Sequence, residues 1–237
     1  RLAADDVKKL KPGDEHYRAY VGDPANYDLI SATTFNLLTT LGLREQHRLL
    51  DVGCGSLRNG RLLIPYLNPG NYTGIEPNRW LVREGIRQET GKDIITIKKA
   101  RFSFAADSAD LDVGHNFNVI LAQSIFSHCG EDLIRQWLDE LTTRLTDEGM
   151  IVATYMMSEY DSGEQGWLYP GLVQYREETF RELLKPYGLN YYRLDWPHPI
   201  QAWFILTASK KKIAWIEKNG LSFQKAFELM RNPKQSG

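Results

Sequence analysis

One stretch, Leu49-Leu50-Asp51-Val52-Gly53-Cys54-Gly55-Ser56, limits what this chain can fold into more than any other. Leu49 to Val52 reads as a short buried strand. Gly53 and Gly55 turn it sharply, and Gly60-Arg61-Leu62-Leu63-Ile64 beyond them reads as a helix. Glycine lets backbone come close to a ligand, and a helix start offers free N–H groups to it. Strand, glycine turn and helix in this order form a ligand site as well as a folding unit.

From about residue 47, strand and helix patterns alternate. Strands are expected at Arg48–Val52, Tyr72–Ile75, Ile94–Ile97, Phe117–Ala122, Met150–Tyr155, Tyr191–Asp195 and Ala202–Thr207. Helices are expected at Asn59–Tyr66, Trp80–Glu89, Asp132–Arg144 and Glu177–Tyr187. Crossover-length segments separate the first five strands, as parallel pairing requires. Only Trp196-Pro197-His198-Pro199-Ile200-Gln201 separates the last two, which suits an antiparallel pair. The expected fold class is therefore α/β: a doubly wound, seven-stranded, mostly parallel sheet with one antiparallel strand near its edge. Residues 1–46 read as a helical lead-in, with a helix at about Asp28–Leu41 and an aromatic loop, Tyr17 to Tyr27, before it. Residues 47–208 read as the core, with an insertion at about 156–175. Residues 209–237 read as a C-terminal helical tail, basic at Lys210 to Lys212, amphipathic over Ser222–Met230 and fraying from Pro233.

At 237 residues the chain fits one such domain. A net charge of −1 gives no general attraction to nucleic acid or to an anionic membrane. No apolar run approaches the ~20 residues of a membrane span, and Arg1 to Asp6 has no signal-peptide core. Cys54 and Cys129 form neither a disulfide framework nor a metal pattern, so no metal is expected. A cytoplasmic setting is the expectation.

The turn itself narrows the ligand. A phosphate loop needs Gly-Lys-Ser/Thr, which is absent here. A dinucleotide turn needs a small residue three positions after its second glycine, and that position is Arg58. What remains is an acid, Asp51, two residues before Gly53, with Gly55 following. Tyr72-Thr73-Gly74-Ile75-Glu76-Pro77-Asn78 then ends a strand on Glu76, about 20 residues past Gly55. A carboxylate at that place can accept from both hydroxyls of a ribose.

LLDVGCGS, YTGIEPN and FNVILAQSIFSH, in this order and spacing, resemble the sequential motifs of class I S-adenosylmethionine-dependent methyltransferases. The resemblance covers roughly residues 47–208 and implies a Rossmann-like methyltransferase fold, S-adenosylmethionine as cofactor and S-adenosylhomocysteine as product. It implies that Gly53, Cys54 and Gly55 line the methionine part, with Asp51 beneath the amino group. It implies Glu76 on the ribose, Asp107 and Ser108 on adenine, and Gln123 beside the sulfonium. Leu57-Arg58-Asn59 departs from the family pattern of a further small residue after the turn. Arg58 either reaches the methionine carboxylate or is a solvent-facing helix residue. Asn118, where the family often has Asp, is read as structural.

Methyl transfer chiefly needs the nucleophile and the methyl held in line. A base is needed only for an acceptor that holds its proton at neutral pH. His128, just past the fourth strand, is the candidate base; the other reading is a histidine that shapes the pocket. The segment 156–175 is aromatic and rich in glycine, so it reads either as a lid over an organic acceptor or as a surface loop. Tyr160, Trp167 and Tyr169 from it, and Tyr20 from the lead-in, are the expected substrate residues. Trp196 and His198, just before the reversed strand, are read either as part of the substrate region or as structural. The expected reaction is methyl transfer to oxygen or nitrogen of a small organic acceptor. The alternatives are methylation of a protein or RNA, and a non-catalytic scaffold that binds the cofactor. Oligomeric state and acceptor identity are not legible.

Overall fold

The computed structural model describes residues 4–7 and 9–222. After a short helix α1 (Ala4–Val7) and a loop, helix α2 (Tyr27–Thr40) leads into the core. The core runs β1 (Leu49–Val52), α3 (Gly60–Tyr66), β2 (Tyr72–Ile75), α4 (Arg79–Gly85), α5 (Lys92–Lys98), β3 (Arg101–Ser103) and β4 (Phe117–Ala122). It continues through α6 (Glu131–Thr142), β5 (Leu145–Met157), β6 (Gln174–Tyr175), α7 (Glu177–Leu184), β7 (Asn190–Leu194), β8 (Ala202–Thr207) and α8 (Lys210–Asn219).

The main path of the sheet is β3-β2-β1-β4-β5-β8-β7. Strand β8 runs antiparallel to both β5 and β7, one place in from the edge, and the other pairings are parallel. The single reversed strand follows from the short β7–β8 connection, since a parallel return would need a crossover. Strand β6, only two residues long, pairs in parallel with the end of β5 and makes the sheet eight-stranded.

Every residue of β1 and β2 is buried, as strands covered on both faces require. Alternate residues feed two cores. Leu50, Val52, Ile120 and Ile151 pack with Trp137 and Leu138 of α6 and Phe180 of α7. Leu49, Val119, Leu121 and Val152 pack with Leu37 and Leu38 of α2, Leu63 of α3 and Ile216 of α8.

The expected strand Ile94–Ile97 is corrected. Those residues lie in α5, and the third strand is Arg101–Ser103, paired Thr73↔Arg101 to Ile75↔Ser103. Their β-branched side chains favour a strand, but a helix here turns Ile94 and Ile95 onto the second core and leaves Ile97 exposed. Packing overrides propensity. Asn118 is structural: its Oδ1 accepts from the Arg48 N–H at 2.9 Å. The lysine run opens α8, which Ser209 caps by accepting from the Lys212 N–H. The expected amphipathic helix Ser222–Met230 and the fraying end lie outside the described residues, apart from Ser222.

The lead-in is tied to the core by polar groups. Tyr27 Oη donates to the Ser56 carbonyl at 3.0 Å, beside the glycine turn. The buried Glu89 carboxylate accepts from Arg18 at 2.7 Å, Tyr17 at 2.8 Å and Arg61 at 3.3 Å. The aromatic loop is thereby held over the ends of the central strands.

Candidate active site

The turn after β1 is closed around its glycines. Gly53 and Gly55 have φ of +68° and +53°, a region that residues with a side chain rarely adopt. A Cβ on Gly53 would stand 2.1 Å from Ile125 Cδ1, and one on Gly55 2.7 Å from Val21 Cγ1. The Cys54 N–H bonds the Ile75 carbonyl at 2.9 Å, and its thiol packs against Gly74, away from the cavity. From beyond, Gly85 of α4 lies so close that a Cβ there would meet the Ser56 oxygen at 2.4 Å.

Glu76 continues this frame. Its carboxylate accepts from the Gly55 N–H at 3.1 Å and from the backbone and side-chain N–H of Asn78 at 2.8 and 2.9 Å. These bonds oppose burial, which raises its pKa. A carboxylate has about four acceptor positions, so three donors leave room for another on the cavity side. Asp51 points the other way along the strand. It is 2% exposed, accepts from Tyr72 Oη at 2.8 Å, and burial pushes its carboxyl up to about 7. It braces the turn from behind and is not on the cavity wall.

Arg58 settles one open question. It is 7% exposed and lines the cavity, so it is not a solvent-facing helix residue. Its guanidinium donates to the Val21 carbonyl at 2.7 Å and to Gln123 Oε1. Gln123 Nε2 in turn donates to Ser124 Oγ at 2.5 Å and stands 3.2 Å from His198 Nε2. Ser124 has a φ of +60°, unusual for a residue with a side chain, and its N–H is held by Thr154 Oγ1 at 2.8 Å. Gln201 bridges Thr154 and Ser124. Of the two readings open for His198, its position favours the substrate region: it lies on the cavity wall with Gln201. The β7–β8 hairpin returns over the end of β4, which the sequence signals only by the shortness of the connection. Trp196 takes the structural reading, its indole N–H on the Thr33 carbonyl at 3.0 Å.

His128 is buried. Its Nδ1 is 2.6 Å from the Gly171 carbonyl. A carbonyl only accepts, so the proton sits on Nδ1 and Nε2 keeps the lone pair. Burial lowers its pKa, against the Gly171 and Leu168 carbonyls, which raise it. The imidazole is neutral at neutral pH.

The segment 156–175 divides in two. Its outer half turns away from the cavity, where Asp161 accepts from Arg176 and Thr179. Tyr160 belongs to this half: it is 57% exposed, its hydroxyl takes the Gln174 amide, and it is not on the wall, a correction to its expected substrate role. The inner half is stitched to the residues after β4 by Leu168 N–H to His128 O and Val173 N–H to Ser127 O, both 2.8 Å. It brings Trp167 and Tyr169 over the cavity, where both rings pack against His128. Tyr169 also stands beside Tyr20, to whose carbonyl its hydroxyl donates.

The result is one cavity of about 700 Å³. Gly53, Gly55, Arg58, Glu76, Gln123, His128, Tyr20, Trp167 and Tyr169 are on its wall, as are Val21, Ile30, Trp137 and Ile200, which the sequence did not single out. Asp107 and Ser108 are not. Asp107 caps a short helical turn through the Ala109 N–H and binds the Gln136 amide, and Ser108 Oγ donates to the Gln136 carbonyl. Ala106, just before them, lines the cavity instead. Among the described residues no helix is long and apolar enough to cross a membrane.

Residues 50–151 match the family model of a methyltransferase domain. No curated protein sequence matches the chain. Several solved structures share its fold. Magnesium protoporphyrin IX methyltransferase from Synechocystis PCC 6803, with bound S-adenosylmethionine, is 14% identical with a TM-score of 0.60, over 87% of this chain and 96% of that one. A S-adenosylmethionine-dependent methyltransferase from Leishmania major is 15% identical with a TM-score of 0.59, over 86% and 80%. DesVI of Streptomyces venezuelae is 13% identical with a TM-score of 0.58, over 88% and 100%. At these identities the likeness speaks for the fold, while the family match covers β1 to the middle of β5 and contains the glycine turn, Glu76 and His128. Residues 50–151 of this chain are thus a methyltransferase domain, set in a fold shared with S-adenosylmethionine-dependent methyltransferases.

Proposed function

We propose that this enzyme methylates an oxygen or nitrogen of a small organic acceptor inside the cavity. The cavity itself carries the reading. It is roofed by the lead-in and the inner half of 156–175, and its volume of about 700 Å³ falls well within the ~300–1,000 Å³ of small-molecule sites. A roof of Tyr20, Trp167 and Tyr169 suits an organic molecule better than a polymer threading through. The net charge of −1 also gives nucleic acid no field to follow. In this reading residues 47–208 are the catalytic core, and residues 1–46 contribute part of its cover.

The chain's residues fit the cofactor. Gly53 and Gly55 carry no side chain, and a Cβ on either would collide with Ile125 or Val21, so their bare backbone is what meets the methionine part. Glu76 keeps acceptor capacity for the ribose hydroxyls, and Ala106 rather than the Asp107 or Ser108 side chains borders the adenine end. S-adenosylmethionine held there supplies an already activated methyl group. His128 then removes the acceptor's proton through Nε2, while the Gly171 carbonyl fixes the ring and its tautomer.

Incubation with methyl-labelled cofactor in a cell extract, followed by size separation, tests this. Label in the low-molecular-weight fraction is expected. Label confined to protein or RNA would overturn it. Calorimetry should show binding of S-adenosylhomocysteine and not of NADH.

A further inference from the structure

The corner between Arg58, Gln123 and His198 has too many donors for its acceptors. Arg58 carries five N–H groups. The bonds to Val21 and Gln123 use two, and its Nε is buried without a partner among the described residues. None of the ion pairs among the described residues includes Arg58. Asp51 acts on Arg58 through space, but none of these ion pairs bonds an acid to the guanidinium, so a ligand that brings an acceptor and a counter-charge stabilises the site.

Gln123 divides the corner. Its amide oxygen is turned to Arg58, so its NH2 faces Ser124 and His198. His198 Nδ1 accepts from the Gln201 N–H at 3.0 Å and the Ile200 N–H at 3.3 Å. A ring nitrogen that accepts carries no proton, so the proton is on Nε2. Burial and the nearby Arg58 push the His198 pKa down to about 3, which keeps the ring neutral. Two N–H groups therefore face each other across 3.2 Å, and neither can accept. An oxygen entering from the cavity satisfies both.

We propose that the methyl acceptor carries a carboxylate, received by the Nε2–H of His198 and the amide N–H of Gln123, with Arg58 supplying the counter-charge. The single guanidinium matches a monoanion better than a phosphate dianion. The position favours the acceptor over the cofactor's own carboxylate. His198 comes from the β7–β8 connection, and in the sheet β5 and β8 lie on the far side of β4 from β1 and its turn. The inference rests on the methyl-transfer reading of this cavity.

The test titrates benzoate and benzyl alcohol, which differ in the acid group, into protein saturated with S-adenosylhomocysteine. Benzoate is expected to bind at least about tenfold more tightly, ~1.4 kcal/mol. His198→Ala should remove about that factor for benzoate and leave S-adenosylhomocysteine affinity unchanged. His198→Gln, which keeps an N–H donor, should restore most of it. Equal affinity for the two probes, or no binding of benzoate, overturns the proposal. So does a His198→Ala or Arg58→Gln variant that loses S-adenosylhomocysteine but not 5′-methylthioadenosine while benzoate is unaffected, because the corner then serves the cofactor's carboxylate. Wild type that fails to bind S-adenosylhomocysteine overturns the methyl-transfer reading and this proposal together; binding without preference for the acid overturns this proposal alone.

Discussion

The two ends of the cavity are built differently. At the turn end, neighbouring residues press on the glycines: a Cβ on Gly53 would meet Ile125 at 2.1 Å, and one on Gly85 would meet the Ser56 oxygen at 2.4 Å. At the acceptor end, the wall comes from three connections far apart in sequence, carrying Tyr20, Trp167 with Tyr169, and His198. Two glycines of the 156–175 segment are free, with nothing within 4 Å of a Cβ on Gly163 or Gly166, while Gly171 packs against Leu168. One end leaves no room for change because neighbouring side chains and backbone already occupy it. The other can change its side chains with little cost to the sheet beneath, so it is where acceptor choice can vary.

The sharpest way to separate the ends is to remove the base. His128→Ala should lower kcat by about 10²–10⁴ while S-adenosylhomocysteine affinity stays within about twofold. Equal loss of both would mean that His128 holds the two ends together. His128 must be neutral to accept a proton, and burial lowers its pKa from the ordinary 6.5. In wild type, kcat should therefore rise with pH through a limb below 6.5 and be flat above it. A limb above 6.5 would count against the assignment.

Next in size is the turn. Gly53→Ala combines left-handed strain with overpacking, about 2–4 kcal/mol together, and calorimetry should show cofactor binding nearly abolished. Gly166→Ala, next to Trp167, should cost only the strain, about 1–2 kcal/mol of stability by thermal melting, with cofactor affinity kept. If the two variants behave alike, the contrast between the ends fails.

Glu76→Ala should weaken S-adenosylhomocysteine by about 10–100-fold, since it removes an acceptor and strands the Gly55 and Asn78 N–H groups. An unchanged dissociation constant would move the ribose elsewhere. The smallest effect is expected for Trp167→Ala. This ring is 53% exposed, so melting should barely change, while the acceptor KM rises about tenfold or less. A large loss of stability would make Trp167 part of the fold rather than of the roof.

The features that were legible in the sequence are those a short stretch decides. Gly53 and Gly55 announce a left-handed turn because other residues are strained there. Glu76 stands at the end of a strand with a readable pattern. What misled was side-chain direction. Asp51 alternates with Val52, so only one of them faces the cavity, and the sheet gives that side to Val52. Asp107 and Ser108 lie next to the wall, but α6 supplies Gln136 as their partner. Tyr160 and Trp167 belong to one aromatic segment, and only pairing with the residues after β4 decides which turns inward.

The sequence by itself determined the strand–turn–helix unit, the order of parallel crossovers and the reversed strand. Each depends on local backbone freedom or on the length of one connection. The tertiary structure alone decided that Arg101–Ser103 is the third strand, that Arg58 is buried on the cavity wall, and that His198 reaches Gln123. Those outcomes depend on which distant segments meet, and therefore on packing and desolvation across the whole domain, which no window of the chain contains.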